Sequence, residues 1–493
     1  MPGESILLAR WLARGSDPRP AFYDATGSTS WSAAVDAADR VAGALLGGGR
    51  SLEGERIGIL VSPGAAFVAC FFGILRAGGT VVVLSPLHPP PETRYFCDDA
   101  GVRTVVASAD LAGRAAFLVP ERRVVVAGEL LLHGPSRIEA LPADDDAALQ
   151  LYTSGTTGKP KGAVITHANL AVQQALLGEA WGWRESDVLL HVLPLHHMHG
   201  LAIALLSAVG AGAATHFLPS FEACATWAAM ARATVFMAVP TIHAKLFAAL
   251  DAADTTAQRA WSAHARALRL VTSGSAALPV TVGDRWRSLS GAYPLERFGM
   301  TEIGVGSTNP LQASARRPGT VGLPLPSVQV RVVEDELWIA GPSVFAGYHR
   351  KEEATRESFV VDGETRWFKT GDTVARGDDG YLRILGRTSV DILKSGGYKL
   401  SALEIEEVLR EHTAVAEVAV IGLPDPTWGE RVVACVVARP GRESECTEDA
   451  LRGFAKERLA SYKVPRQIRL MAELPRNAVG KVMKPELRAK VER

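Results

Sequence analysis

In Leu151-Tyr-Thr-Ser-Gly-Thr-Thr-Gly-Lys-Pro-Lys-Gly162, the hydroxyls of Thr153, Ser154, Thr156 and Thr157 lie among three glycines and beside the ammonium groups of Lys159 and Lys161. This composition suits phosphate. Glycines allow turns that side chains would block, and successive backbone N–H groups in such a turn form an anion-binding concavity. A Walker A loop is excluded, because it needs four residues between its glycines and a Ser or Thr after the lysine. Gly155 and Gly158 have two residues between them, and Pro160 follows Lys159. In Leu295-Glu-Arg-Phe-Gly-Met-Thr-Glu302, a hydroxyl and a carboxylate stand next to each other after a glycine. Mg²⁺ prefers oxygen ligands and often takes only one or two from protein while phosphates and water supply the rest. Alone, a Thr-Glu pair reads as a helix cap or surface turn; beside a phosphate loop it reads as a metal site. Ser273-Gly-Ser-Ala-Ala-Leu-Pro279 places small residues between an apolar strand and a helix, where a flat ligand can approach the backbone. Thr370-Gly-Asp372 and Gly386-Arg387 bracket the β-rich segment, and Asp372 alone reads as a common turn residue.

Tyr152 to Gly162 resembles the nucleotide-binding signature of the adenylate-forming superfamily, which contains acyl-CoA synthetases, peptide-synthetase adenylation domains and luciferases. The resemblance covers nearly the whole chain, with its motifs in family order. It implies that Thr153, Ser154, Gly155, Thr156, Thr157, Gly158 and Lys161 bind ATP phosphates, and that Ser275, Ala276, Glu296, Phe298, Gly299 and Thr301 bind the rest of ATP or AMP. Phe298 replaces the usual tyrosine, which keeps the stacking ring and loses a phenolic hydrogen bond. Asp372 and Arg387 take the ribose roles, and Thr156 and Glu302 hold Mg²⁺. Pro475-Arg-Asn-Ala-Val-Gly-Lys-Val-Met-Lys484 resembles the C-terminal catalytic motif, whose lysine is Lys481; His197 joins it as a catalytic residue. A lysine is a compact charge on a long stem, able to reach a carboxylate and the α-phosphate together. Lys394, Ser395, Gly396 and Gly397 resemble the loop that swings in to line the pantetheine tunnel.

The implied reaction activates a carboxylate, which is a poor electrophile with a poor leaving group. Its oxygen attacks the α-phosphate of ATP to give acyl-AMP and pyrophosphate, and a thiol then displaces AMP. Positioning and charge neutralisation dominate such chemistry, so no enzyme nucleophile is needed. Coenzyme A is the expected thiol, because no Gly-Gly-Asp-Ser carrier segment follows. Pro194-Leu-His-His-Met-His-Gly200 also lacks the acid that an amino-acid-activating domain carries there. Rival readings are a stand-alone enzyme loading a carrier protein, a luciferase-like oxidation and an inactive adenylate-binding scaffold. His197 to Gly200, Ala238 to Lys245 and Phe298 to Thr301 look more like malonyl-CoA synthetases than long-chain or aromatic ligases. That implies a small dicarboxylate, malonate first and methylmalonate second, touched by His199, Gly200, Lys245 and Met300. Lys245 stands where many of those enzymes have arginine, keeping the cation and losing the bidentate fork. Against this, Lys245 snorkels from an amphipathic helix whose Ile242 and Leu246 face the core, His199 is an interior histidine, and the substrate is a short, medium-chain or aryl monocarboxylate. A carrier protein or downstream synthase completes the expected partners.

Alternating strand and helix patterns must hold these segments. Arg56 to Val61, Thr80 to Leu84, Arg103 to Ala107, Val124 to Ala127, Ala148 to Tyr152, Val188 to Leu193, Thr234 to Val239 and Leu268 to Thr272 read as strands, with helices at Ala65 to Arg76, from about His167 and after Pro240. Alternation predicts parallel sheets covered by helices. From Gly319 short strands and turns predict a β-rich subdomain, and beyond Arg387 a helix and strands restart as a small unit. The predicted fold is α/β: a large N-terminal domain of helix-covered sheets with a β-rich subdomain (1–387), a hinge at 388–391 with no single residue assigned, and a small mobile α+β C-terminal domain (392–493). Lys plus Arg and Asp plus Glu number 53 each, so no global field favours nucleic acid or an anionic membrane. Five cysteines lie far apart without a Cys-x-x-Cys spacing, which argues against a zinc knot or disulfide framework. The most apolar window, residues 65–75, falls short of the about 20 residues a bilayer span needs, and the N-terminus does not read as a secretory signal. A cytoplasmic protein without stable membrane insertion is expected.

Overall fold

A computed structural model describes every residue except 1–2, 135–137, 139–140, 154–159, 478–481 and 493. Short runs rich in valine, isoleucine and leucine build two large sheets. One has seven strands in the order 347–348, 161–166, 147–153, 80–83, 56–60, 104–107, 123–126. The other has nine, in the order 323–324, 304–308, 295–300, 270–273, 235–238, 188–191, 214–217, 20–24, 27–30. Their centres are parallel, as alternation with helices predicts. Their ends are not. Strands 147–153 and 161–166 run antiparallel, as do 295–300 and 304–308. Few residues connect the strands of each pair, and only antiparallel neighbours can be joined by so short a loop. Both of these hairpins carry the chemistry-bearing segments.

Helix Ala65–Arg76 shows why the most apolar window needs no membrane: all nine residues from Phe67 to Leu75 are buried. Among the described residues no helix is long and apolar enough to cross a bilayer. Helix His167–Ala180 starts at a capping box in which Thr166 and Asn169 satisfy each other's backbone N–H groups. Gln173 on that helix then accepts the Val305 N–H at 2.7 Å, which fixes strand 304–308 against it.

The β-rich part is an antiparallel sheet of 329–333, 336–340, 365–376 and 359–362, with 382–387 on the edge of 365–376. The C-terminal unit is a second small sheet, 398–401, 392–395, 429–438 and 415–425, with 467–470 parallel to 429–438. Helices Ala402–Arg410, Glu448–Lys456 and Lys484–Val491 accompany it. The apolar core of the large part includes buried residues as far as Leu382, and a separate core starts at Leu393.

Candidate active site

The hairpin 147–166 carries the predicted phosphate loop. Ser154, Gly155, Thr156, Thr157, Gly158 and Lys159 lie outside the described residues; the flanks of their loop are well tied. Tyr152 donates to Asp99 Oδ2 at 2.8 Å, Tyr95 donates to Pro160 O at 2.7 Å, and Thr153 Oγ1 donates to Lys161 O at 3.4 Å. Lys161 Nζ lies 4.7 Å from the ring centroid of Tyr348, and the Tyr348 hydroxyl donates to Glu302 Oε1 at 2.9 Å. Lys161 and Glu302, far apart in sequence, therefore meet through one tyrosine. Glu302 is 5% exposed, and only Tyr348 bonds its carboxylate among the described residues. That leaves a hard oxygen for a cation. The described residues hold no group of three or more His, Cys, Asp or Glu side chains suited to a metal.

Strand 270–273 ends in the small-residue turn and then enters helix Val280–Ser290, as the sequence predicts. Ser275 adopts φ +69°, its Oγ lies 3.2 Å from His199 Nδ1, and Ser275 and Ala276 are exposed on the rim. Phe298, Gly299, Met300 and Thr301 are half-buried on the facing hairpin. A Cβ at Gly299 would fall 2.2 Å from Gly304 O, so this crossing needs glycine. Glu296 is buried: its Oε1 accepts the Gly319 N–H at 2.8 Å, which braces that loop, and burial pushes its carboxyl up to about 8. Asp372 and Arg387 are cross-strand partners in register, with Arg387 Nε 3.2 Å from Asp372 Oδ1.

The histidines are neutral. Burial pulls His197 down to about 4, and His199, beside the Arg297 charge, well below its usual value. His197 packs on His196 with centroids 4.2 Å apart, and its buried Nε2 has no partner among the described residues. His199 and Gly200 open a π-helix, His199–Leu205, and Gly200 O accepts from His191 Nε2 at 2.8 Å. Deeper in the sheet, His243 Nδ1 accepts from Trp286 Nε1 at 3.0 Å and Nε2 donates to Thr272 O at 3.2 Å. Protonating Nδ1 would set N–H against N–H. His191 and His243 are both lowered to about 4, so they stabilise the fold above the ordinary histidine range and lose that contribution as pH falls through about 4. Melting temperature should fall between pH 6.5 and 4, with a loss on the order of a few kcal/mol. In calorimetry, His243→Asn should give a shallower pH dependence than the unmodified chain; parallel curves would contradict this assignment.

Arg297 is the buried cation here. It is 3% exposed, it has no hydrogen bond or ion pair among the described residues, and burial pulls its guanidinium down to about 9. Its planar end lies over the Gly274 backbone, where an added Cβ would come within 2.5 Å of Cζ. Lys245 does not occupy such a place: it lies on the exposed face of helix Pro240–Ala252, while Ile242 and Leu246 are buried.

In the C-terminal unit Lys394, Gly396 and Gly397 are exposed and Ser395 is buried, so in this arrangement the loop faces solvent rather than lining a tunnel with the other site residues. Gly396 packs under Trp428, whose ring carries the Arg466 guanidinium at 3.4 Å. Lys481 lies outside the described residues. Three residues on, Lys484 Nζ is 2.6 Å from both Asp391 Oδ1 and Glu406 Oε1.

Residues 8–349 match the model of the AMP-binding enzyme family, and residues 404–481 match the AMP-binding enzyme C-terminal domain. The chain belongs to the AMP-binding enzyme family. This AMP-binding enzyme is 40% identical to a malonate–CoA ligase of Arabidopsis thaliana over 90% of its own length and 79% of the relative's. It is also 40% identical to a mitochondrial malonate–CoA ligase of Mus musculus, over 88% of its own length and 82% of that relative's. Among solved structures it resembles ATP-bound MatB from Rhodopseudomonas palustris, with a TM-score of 0.90 and 32% identity over 99% of each chain. The large and small parts described above are thus the fold of this family. Sequence reasoning missed Arg297 in this AMP-binding enzyme, although the signal was present. Strand residues two apart share a face, so Arg297 shares the inward face of Leu295.

Proposed function

We propose that this chain is an ATP-dependent acid:CoA ligase that makes malonyl-CoA, or methylmalonyl-CoA, from the free dicarboxylate through an acyl-AMP intermediate. The observation that carries the substrate is Arg297. A buried charge without a partner is costly and is retained where a ligand supplies the counter-charge. A monocarboxylate has one carboxyl, and adenylation consumes it. A dicarboxylate leaves a second, which an arginine can clamp with two parallel hydrogen bonds. Malonate–CoA ligase activity in relatives covering most of the chain supports the same reading.

In this reading Arg297 and the turn at Gly274–Ser275 hold the distal carboxylate, with His199 and Met300 closing the pocket. The other carboxylate faces the α-phosphate, Asp372 and Arg387 hold the ribose, and Phe298 stacks on adenine. Glu302, with Thr156, would hold Mg²⁺, which would supply charge neutralisation at the phosphates. Lys481 stabilises the charge that develops between the attacking carboxylate and the α-phosphate. His197, neutral at pH 7, gives a hydrogen bond rather than a charge. The small domain then turns about 388–391, bringing Lys394 to Gly397 to the thiol of CoA. Five free cysteines suit a reducing compartment, the cytoplasm.

Incubation with ATP, CoA and a panel of malonate, methylmalonate, propionate and butyrate, with AMP and thioester both measured, tests the proposal. Malonate should exceed butyrate by about 10²-fold or more in kcat/KM, because butyrate leaves the guanidinium unpaired. Equal or better turnover of butyrate would remove the dicarboxylate and leave the ligase.

A further inference from the structure

The segment 343–349 is laced to both chemistry-bearing hairpins. Ser343 Oγ donates to Ile303 O at 3.0 Å, and Phe345 N–H donates to Glu302 O at 2.8 Å. On the other side Gly347 and Tyr348 pair with Val164 and Ala163, and His349 N–H donates to Gly162 O at 2.8 Å. Tyr348 is the residue of this bridge whose side chain reaches both reactive groups. Its backbone N–H donates to Thr355 Oγ1 at 2.9 Å, and its ring meets Phe345 edge-on with centroids 4.8 Å apart. Its hydroxyl donates to Glu302 Oε1 at 2.9 Å while Lys161 Nζ lies 4.7 Å from its ring centroid.

We infer that Tyr348 is a positioning residue for the nucleotide–metal site: its hydroxyl fixes one oxygen of Glu302 and so aims the other at a divalent cation, while its ring seats the Lys161 ammonium. The inference rests on the reading of Glu302 as a metal ligand. A glutamate carboxylate turns freely about its last bond, and a donor on Oε1 removes that freedom. Outer partners of this kind typically change metal affinity 10- to 100-fold when removed. The ring contributes separately, because a cation over an aromatic face is held by the ring's quadrupole.

The two contributions separate by substitution. Tyr348→Phe keeps the ring and deletes the donor; Tyr348→Leu deletes both. Mn²⁺ serves as the probe, its binding to the enzyme–ATP complex read by electron paramagnetic resonance, and metal-free ATP binding is read by calorimetry. Tyr348→Phe should weaken Mn²⁺ about tenfold, leave metal-free ATP affinity unchanged and regain its kcat at high Mg²⁺. Tyr348→Leu should also weaken metal-free ATP about threefold. Glu302→Gln is measured in parallel and should weaken Mn²⁺ at least as much as Tyr348→Phe. Wild-type Mn²⁺ affinity in Tyr348→Phe beside weakened binding in Glu302→Gln overturns the role of Tyr348 and leaves the metal ligand in place. Unchanged Mn²⁺ affinity in Glu302→Gln overturns the metal reading and this inference with it. An equal loss of metal-free ATP binding in Tyr348→Phe marks a general structural defect and overturns the positioning role.

Discussion

Arg297→Met should make the enzyme a worse malonate ligase and a more stable protein. Methionine fills much of the same volume without charge. Malonate then loses a bidentate, charge-assisted pair inside the protein, where removing one partner costs about 3–5 kcal/mol, or roughly 10²- to 10⁴-fold in kcat/KM. Butyrate gains, because its apolar end no longer faces an unsatisfied guanidinium. The stability change has the opposite sign: without substrate, the cation at 3% exposure is uncompensated among the described residues, and replacing such groups by apolar ones commonly stabilises by about 1–4 kcal/mol. Steady-state kinetics with both acids and a melting curve in the absence of ligand check the two signs together. Lys245→Met is the control. On its exposed helix face Lys245 should shift malonate kcat/KM by less than about threefold, whereas a site that used it as the cation would lose its preference for malonate. A large loss in Lys245→Met beside a small one in Arg297→Met would reverse the assignment.

The contrast between those two residues shows what a sequence conveys here. Strand and helix identities were legible wherever period and length agreed, as at Thr80–Val83, Pro240–Ala252 and Ala402–Arg410. The antiparallel ends of both large sheets were not expected from the alternation of elements. They follow from loop length, which is also visible in the sequence: residues 301–303 leave no room for a crossover. Asp372 and Arg387, singled out together from two motifs, stand opposite each other because the register of their strands pairs them. Lys245 stood in a resemblance, but its surroundings depend on which face of helix Pro240–Ala252 is covered, a tertiary fact. The partner of Glu296, the Gly319 N–H, comes from a turn more than twenty residues away, so its hydrogen bond could not be read from the strand that carries it. Tyr348 drew no attention because nothing near it in sequence carries chemistry; its partners Lys161 and Glu302 reach it from two different hairpins.

Lys481→Ala should divide the reaction in two. The motif that carries this lysine ends at Lys484, which is 9% exposed and held between Asp391, in the proposed hinge, and Glu406, on helix Ala402–Arg410. Both carboxylates push the Lys484 ammonium up despite the opposing effect of burial, so it stays charged and the anchor persists across neutral pH. Lys484 thus ties the end of this motif to the proposed hinge. In the arrangement described here Lys394, Gly396 and Gly397 face solvent, which fits an orientation serving the first half-reaction and not the second. Loss of the Lys481 charge should therefore cost on the order of 10² or more in adenylation, measured as malonate-dependent pyrophosphate release. Pre-formed malonyl-AMP supplied with CoA should still give thioester at near the normal rate if, as proposed, the turn of the small domain exchanges this lysine for the Gly396–Gly397 loop. If both half-reactions fall by the same factor, Lys481 acts through the fold of the small domain and the division of labour between the two segments is wrong.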